Sequence, residues 1–201
     1  MDRLDQLLAA ADPLLSRVDD VLSTVGAPGG HAVWAELRRV RLLPGDAARA
    51  VAGLRPAAIL DGVPELRADA RVYADLADAL PLPGEWSGEA ADAYEQARRR
   101  MAERLHGGAD SLSGRMDATV DLATALTDWM LDARGGLAES LAEVCVTTEA
   151  LTLLGSAHPP EQEASAAAAI GAVLLRTVAD TYDRAEDLLD DFKLLQNPLP
   201  V

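Results

Sequence analysis

Pro81-Leu82-Pro83-Gly84-Glu85-Trp86-Ser87-Gly88-Glu89-Ala90-Ala91-Asp92-Ala93-Tyr94 is the stretch whose reading decides the fold. Pro81 and Pro83 lack the amide that an interior helical turn requires, so a helix arriving from the N-terminal side stops here. Gly88 permits a tight bend, and Glu89 and Asp92 put negative charge where a helix N-terminus favours it, so a second helix restarts after Trp86-Ser87-Gly88. The alanines let two arms close on one another, and the Trp86 indole has the size to plug the end of the resulting hairpin.

The pattern on both sides supports two arms. Upstream, Ile59, Val63, Leu66, Ala70, Tyr73, Ala77 and Leu80 keep a heptad step in a helix opened by Arg55-Pro56 and bent near its start by Gly62 and Pro64. Downstream, Leu105, Leu112, Met116, Thr119, Ala123, Leu126 and Met130 continue in phase through Ala133, Leu137, Val144 and Leu151. That phase survives Gly107-Gly108 and Gly135-Gly136, which predicts either one very long helix or collinear segments bending at the glycine pairs. The arms are therefore expected at 57–80 and 88–154. A turn at 155–160 returns the chain as a final helix over 161–196, whose Ala166 to Ala169 run offers a smooth surface for close helix contact, and the tail at 197–201 is expected to fray.

Before the hairpin, Leu4, Leu7, Ala11, Leu14, Val18, Val21 and Val25 form one amphipathic stripe. Pro13 predicts a kink, or a restart with Asp12 as cap, and the run from Gly26 to Gly30 ends the element. A short helix over 31–42 should bury Val33, Trp34, Leu37 and Val40, and Asp46 should cap another through Leu54. The expected organisation is a single helical domain, 1–201, with N-terminal helices at 1–55, the hairpin at 56–154 and the returning helix at 161–196.

Composition agrees with an all-α, elongated helical bundle. Of 201 residues 49% are hydrophobic but only 3% aromatic, with a single Phe, so the core must be built of Leu, Ala and Val. These side chains suit close helix packing. The formal net charge of -15 argues against nucleic acid and anionic membranes as partners. Arg98-Arg99-Arg100 is the nearest approach to a basic patch, and with Glu95 and Glu103 beside it reads as a solvated, ion-paired helix face.

Cys145 is the only cysteine, so an internal disulfide is impossible, and Val144 and Val146 give its thiol an inert apolar setting. The N-terminus lacks the basic and apolar regions of a signal peptide, and no window approaches the roughly 18 apolar residues of a membrane span. Synthesis in the cytoplasm without a signal peptide, and no membrane insertion, are the expectations. Any export would proceed by another route.

No catalytic residues, metal or cofactor are assigned. His31, His106 and His158 are scattered and none has a His or Cys at i+3 or i+4. Gly26-Ala27-Pro28-Gly29-Gly30 lacks the strand and Lys-Ser/Thr pair of a phosphate loop. Glu186-Asp187-Leu188-Leu189-Asp190-Asp191 resembles the magnesium-holding carboxylates of all-helical prenyl-diphosphate enzymes, but a facing carboxylate cluster is missing. A magnesium-dependent enzyme using Asp187, Asp190 and Asp191 is one alternative, and a Ser-His-Asp grouping has no Gly-x-Ser-x-Gly elbow to support it.

The turn Trp86-Ser87-Gly88 with its Ala90-Ala91-Asp92-Ala93-Tyr94 extension resembles the signature of the WXG superfamily, the helical-hairpin substrates of type VII (ESX) secretion in actinobacteria and related Gram-positives. That resemblance strictly covers about residues 57–130; the N-terminal and last helices are additional. It implies a hairpin fold, no enzymatic activity, and export of the folded protein to the outside or the cell surface. Family substrates also resemble one another in a Tyr-x-x-x-Asp/Glu signal, which Tyr182-Asp183-Arg184-Ala185-Glu186 matches and Tyr73 and Tyr94 do not. The resemblance thus implies Trp86, Gly88, Tyr182 and Glu186 as recognition residues, with a helical protein partner or homodimer and the type VII machinery as partners. If the last helix folds back from Pro160, Tyr182 comes to lie near Trp129. A cytoplasmic helical scaffold or adaptor is the other alternative.

Overall fold

The computed structural model describes residues 2–155 and 158–196. Among them are nine α-helices and no strand: α1 (Arg3–Thr24), α2 (Val33–Val40), α3 (Pro44–Ala52), α4 (Pro56–Leu60), α5 (Val63–Asp78), α6 (Glu89–Leu105), α7 (Leu112–Cys145), α8 (Thr148–Leu154) and α9 (Pro160–Gln196). The all-α class follows directly from the 3.6-residue periodicity and the Ala/Leu content. The expectation of a frayed tail at 197–201 lies outside the described residues, as do Ser156 and Ala157 of the turn before α9.

The chain divides into two compact units, Met1–Arg55 with Trp129–Asp187, and Pro56–Asp128 with Leu188–Val201. Helices α7 and α9 each contribute residues to both.

In the first unit α1 begins with a reciprocal cap, Asp2 accepting from the Asp5 amide at 3.0 Å and Asp5 from the Asp2 amide at 3.1 Å. The helix then runs unbroken through Pro13. Asp12 is accordingly not a cap. Packing explains the continuity: Ala11, Leu14, Leu15 and Val18 on either side of the proline are fully buried, and that burial offsets the missing hydrogen bond. Helix α1 packs on α3 and α8.

The alanine run of α9 is buried as its composition suggests, with Ala167 and Ala168 at 0% exposure. Gly171 shows why small residues are needed there. A Cβ on it would lie 3.1 Å from Leu22 of α1, 3.1 Å from Pro44 of α3 and 3.3 Å from Val33 of α2, so three helices converge on one missing methyl. This burial also accounts for a departure from expectation. Pro160–Lys193 includes a window of mean hydropathy 1.2, long and apolar enough by composition to cross a membrane, but 67% of that window is buried within the protein.

Other boundaries shift for local reasons. Helix α2 covers less than 31–42 because Arg41 adopts a left-handed φ of 61° that terminates it. Trp34 is exposed at 36% instead of buried, its indole N–H donating to the Pro28 carbonyl at 3.1 Å. Helix α3 opens with Pro44 at its first position, so Asp46 lies in its first turn instead of capping it. The amide of Gly45 is satisfied from another helix, by Asp19 at 2.9 Å.

In the second unit the upstream arm splits into α4 and α5 around Asp61 and Gly62. The downstream arm, whose residues from Trp129 onward belong to the first unit, is not one helix. It breaks at 106–111 and again at 146–147, giving α6, α7 and α8, whereas Gly135-Gly136 stays inside α7. Gly108 has φ of +151°, outside the helical range, while the second glycine pair is held by buried Ala133, Leu137, Ala138 and Leu141 around it. Packing therefore decides which pair breaks. Helices α5 and α6 pack together, with Val63, Ala70, Ala77 and Ala91 as the buried residues of the two.

Candidate functional site

Trp86 and Gly88 sit in the connection 79–88 between α5 and α6. Gly84 and Gly88 hold φ of +63° and +97°, values that side-chain-bearing residues avoid, and the Gly88 carbonyl accepts the Ala91 amide at 2.9 Å to start α6. Tyr94, one turn and a half into α6, donates its hydroxyl to the Pro81 carbonyl at 2.8 Å. Its ring lies under the Trp86 indole at 5.8 Å between centroids and an interplanar angle of 46°.

Trp86 does not plug the helix pair. It is 52% exposed, with Leu82 in the same connection at 73%. The buried side chains of the two helices are Val63, Ala70, Ala77 and Ala91, and the connection, shaped by two prolines and two positive-φ glycines, sets the indole against Tyr94 instead.

Along the same helix, Glu95 accepts from Arg98 at 2.7 Å and from Arg99 at 2.7 Å. The hydrogen bond from Arg98, then that from Arg99, holds the Glu95 carboxyl down to about 2. The arginine run thus carries its own counter-charge, as its sequence context implied.

Tyr182 and Glu186 belong to α9 in the first unit and share an exposed face at i,i+4. The Tyr182 ring meets Trp129 edge-on, 5.5 Å between centroids at 75°, and the Trp129 indole donates to the Thr181 carbonyl at 2.8 Å. The two residues line a groove of about 400 Å³ floored by Val40, Leu42, Ala47 and Val178.

Arg39 crosses the edge of that groove, bonded to Asp180 at 2.9 Å and to Asp183. These bonds, Asp183 first and then Asp180, raise the arginine further above its ordinary range. Glu186 has no ion-pair partner among the described residues.

The four residues singled out in the sequence are therefore brought together as two pairs, Trp86 with Gly88 in the second unit and Tyr182 with Glu186 in the first. Tyr182 meets Trp129 as the folding back of the last helix implied, whereas the parts of Arg39 and Asp183 were missed. Only the doubled arginine at the end of a short helix hinted at them.

Among the described residues no three His, Cys, Asp or Glu side chains converge as a metal-holding group. Asp190 of the acidic run pairs with Lys193 at 2.9 Å. Cys145 is half-buried at the end of α7, and burial pushes its thiol up from the ordinary range. His31 accepts the Val33 amide at 3.1 Å and so serves the start of α2. No family model, curated protein or solved structure matches the chain.

Proposed function

We propose that this chain is a non-enzymatic recognition protein, a type VII secretion substrate or a substrate-like helical partner of one, exported folded. The observation that supports this reading most is the exposed indole of Trp86, propped on Tyr94 beside exposed Leu82 at the connection of a helix pair. Large apolar side chains gathered at one surface point are the usual anchors of a protein interface, and a Trp held in place by its neighbour loses little entropy on docking. Tyr182 and Glu186 supply a second exposed feature, an aromatic and, one turn on, a carboxylate with no ion-pair partner among the described residues.

The two features are borne by different compact units, so the signal is read as two parts, each offered to the machinery or completed by a helical partner. Export from a host carrying a type VII system tests the reading. The combined Trp86→Ala and Glu186→Ala protein should accumulate inside the cell with undiminished folding, and unchanged export of that variant would overturn the assignment.

A further inference from the structure

The glycine break between α6 and α7 puts His106 against the opening turn of the long helix. Its Nδ1 lies 2.7 Å from the Ser113 hydroxyl, and Ser113 is itself 2% exposed. The Ser111 hydroxyl donates to the Gly108 carbonyl at 2.6 Å and accepts the Gly114 amide at 3.1 Å. Its proton is committed, so it offers Ser113, 3.3 Å away, only a lone pair. The Ser113 proton goes to the closer acceptor, Nδ1 of His106. That assignment places the imidazole proton on Nε2, for which no partner is found among the described residues.

The same ring lines an open surface groove of about 290 Å³ together with Arg67 and Arg71, both exposed and one turn apart on α5. Neither arginine has an ion-pair partner among the described residues, although acidic residues outnumber basic ones 33 to 18 in this chain. One carboxylate, Asp117, also lines the groove. Two guanidiniums and an imidazole N–H outnumber that one carboxylate, and a set with such an excess of donors matches an oxyanion with several acceptor oxygens.

The geometry points to a binding site for a phosphate-type oxyanion, free or as a small phosphate monoester, held by Arg67, Arg71 and His106 with Ser113 fixing the imidazole. Arg67 and Arg71 supply charge-assisted hydrogen bonds, and His106 supplies a further N–H donor. Asp117 repels the net negative charge of the ligand and so weakens its binding. This site is independent of the secretion reading and is built wholly within the second unit.

Titration of the full-length protein with inorganic phosphate, followed by amide and arginine side-chain NMR signals at ionic strength held constant with chloride, tests the site. Saturable shifts at Arg67, Arg71 and residues 106–113 are expected. Arg71→Gln and Arg67→Gln should each weaken binding about tenfold, as loss of one charge-assisted hydrogen bond implies. Arg38→Gln, the same charge change in the other unit, should leave it unaltered, and Asp117→Asn should tighten it several-fold. Glycerol phosphate as a second ligand separates the two sources: binding at least as tight as inorganic phosphate marks a monoester site, and weaker binding marks one for the free ion. Shifts that never saturate, or an equal loss in Arg38→Gln and Arg71→Gln, would overturn the proposal.

Discussion

Replacing Arg134 by Met should destabilise the first unit more than any other single charge removal. Arg134 is the only charged residue among those described as buried, with its side chain 9% exposed. Its guanidinium bonds Asp2 at 2.7 Å and Asp5 at 2.9 Å, and reaches the carbonyls of Ala52 and, at 3.2 Å, Leu54. One side chain of α7 thereby secures the start of α1 and the end of α3. Burial pulls its pKa down, but the bonds to Asp2 and Asp5 more than offset this and leave it raised.

The magnitude follows from what loses its partner. Asp2 and Asp5 are 50% and 36% exposed, so water rehydrates them and the ion pairs account for only about 1 kcal/mol. The two carbonyls lose a charged donor, at about 1 kcal/mol each for partly accessible groups. Met preserves much of the apolar stem, so little packing is lost. The total is about 3 kcal/mol, which at a urea dependence of about 1.5 kcal/mol per molar moves the midpoint down by about 2 M.

Trp34 and Trp129 report the first unit and Trp86 the second. Fluorescence-monitored urea unfolding of Arg134→Met in a Trp86→Phe background therefore reads the affected unit alone. A midpoint shift below about 0.3 M would show that the cluster contributes nothing net, as some buried ion pairs do, and would refute the partition above.

Three further outcomes are expected. Gly45→Ala should destabilise the first unit by about 1–3 kcal/mol, because the new Cβ would fall within 3.0 Å of the Asp19 carboxylate that accepts the Gly45 amide; thermal unfolding by circular dichroism reads it. Gly88→Ala should cost about 1–2 kcal/mol through its φ of +97° alone, since a Cβ there meets nothing within 4 Å; a Trp86 emission midpoint unchanged by the substitution would contradict this. Glu95, held at about 2 against an ordinary 4.5, contributes stability that is complete above pH 4.5 and is lost as pH falls toward 2; acid titration of helicity should be shallower over that span in Glu95→Gln than in the unaltered chain.

Fold class was legible because periodicity is a property of local sequence. The boundaries set by backbone chemistry were also legible: Pro81 and Pro83 end one helix, the glycines of 26–30 end another, and α9 falls almost where its pattern begins and stops. What escaped was every decision made by packing at a distance. Pro13 reads as a break, yet the buried leucines and valines around it hold α1 straight through. Gly107-Gly108 and Gly135-Gly136 read alike, and only the core around the second pair tells them apart. Trp86 reads as a plug, yet it lies half-exposed against Tyr94. Arg134 carried no pattern at all, because the acids it meets are some 130 residues away in sequence.

The structure also decides which of the recognition residues can be tested without ambiguity. Tyr182 serves two purposes: its ring completes the packing of Trp129 while its face remains 40% exposed, so removing it perturbs stability and recognition together. Gly88 cannot be replaced without strain at a left-handed φ, which confounds any effect on export with an effect on the start of α6. Trp86 rests on Tyr94 at the surface, and Glu186 is exposed and without an ion-pair partner among the described residues. Loss of either side chain leaves both helices and both cores as they are. A defect in export confined to Trp86→Ala and Glu186→Ala, with Trp129→Phe exported normally, would therefore separate a recognition signal from a folding requirement. Equal defects in all three would mean that folding of the units, and not their exposed features, is what export measures.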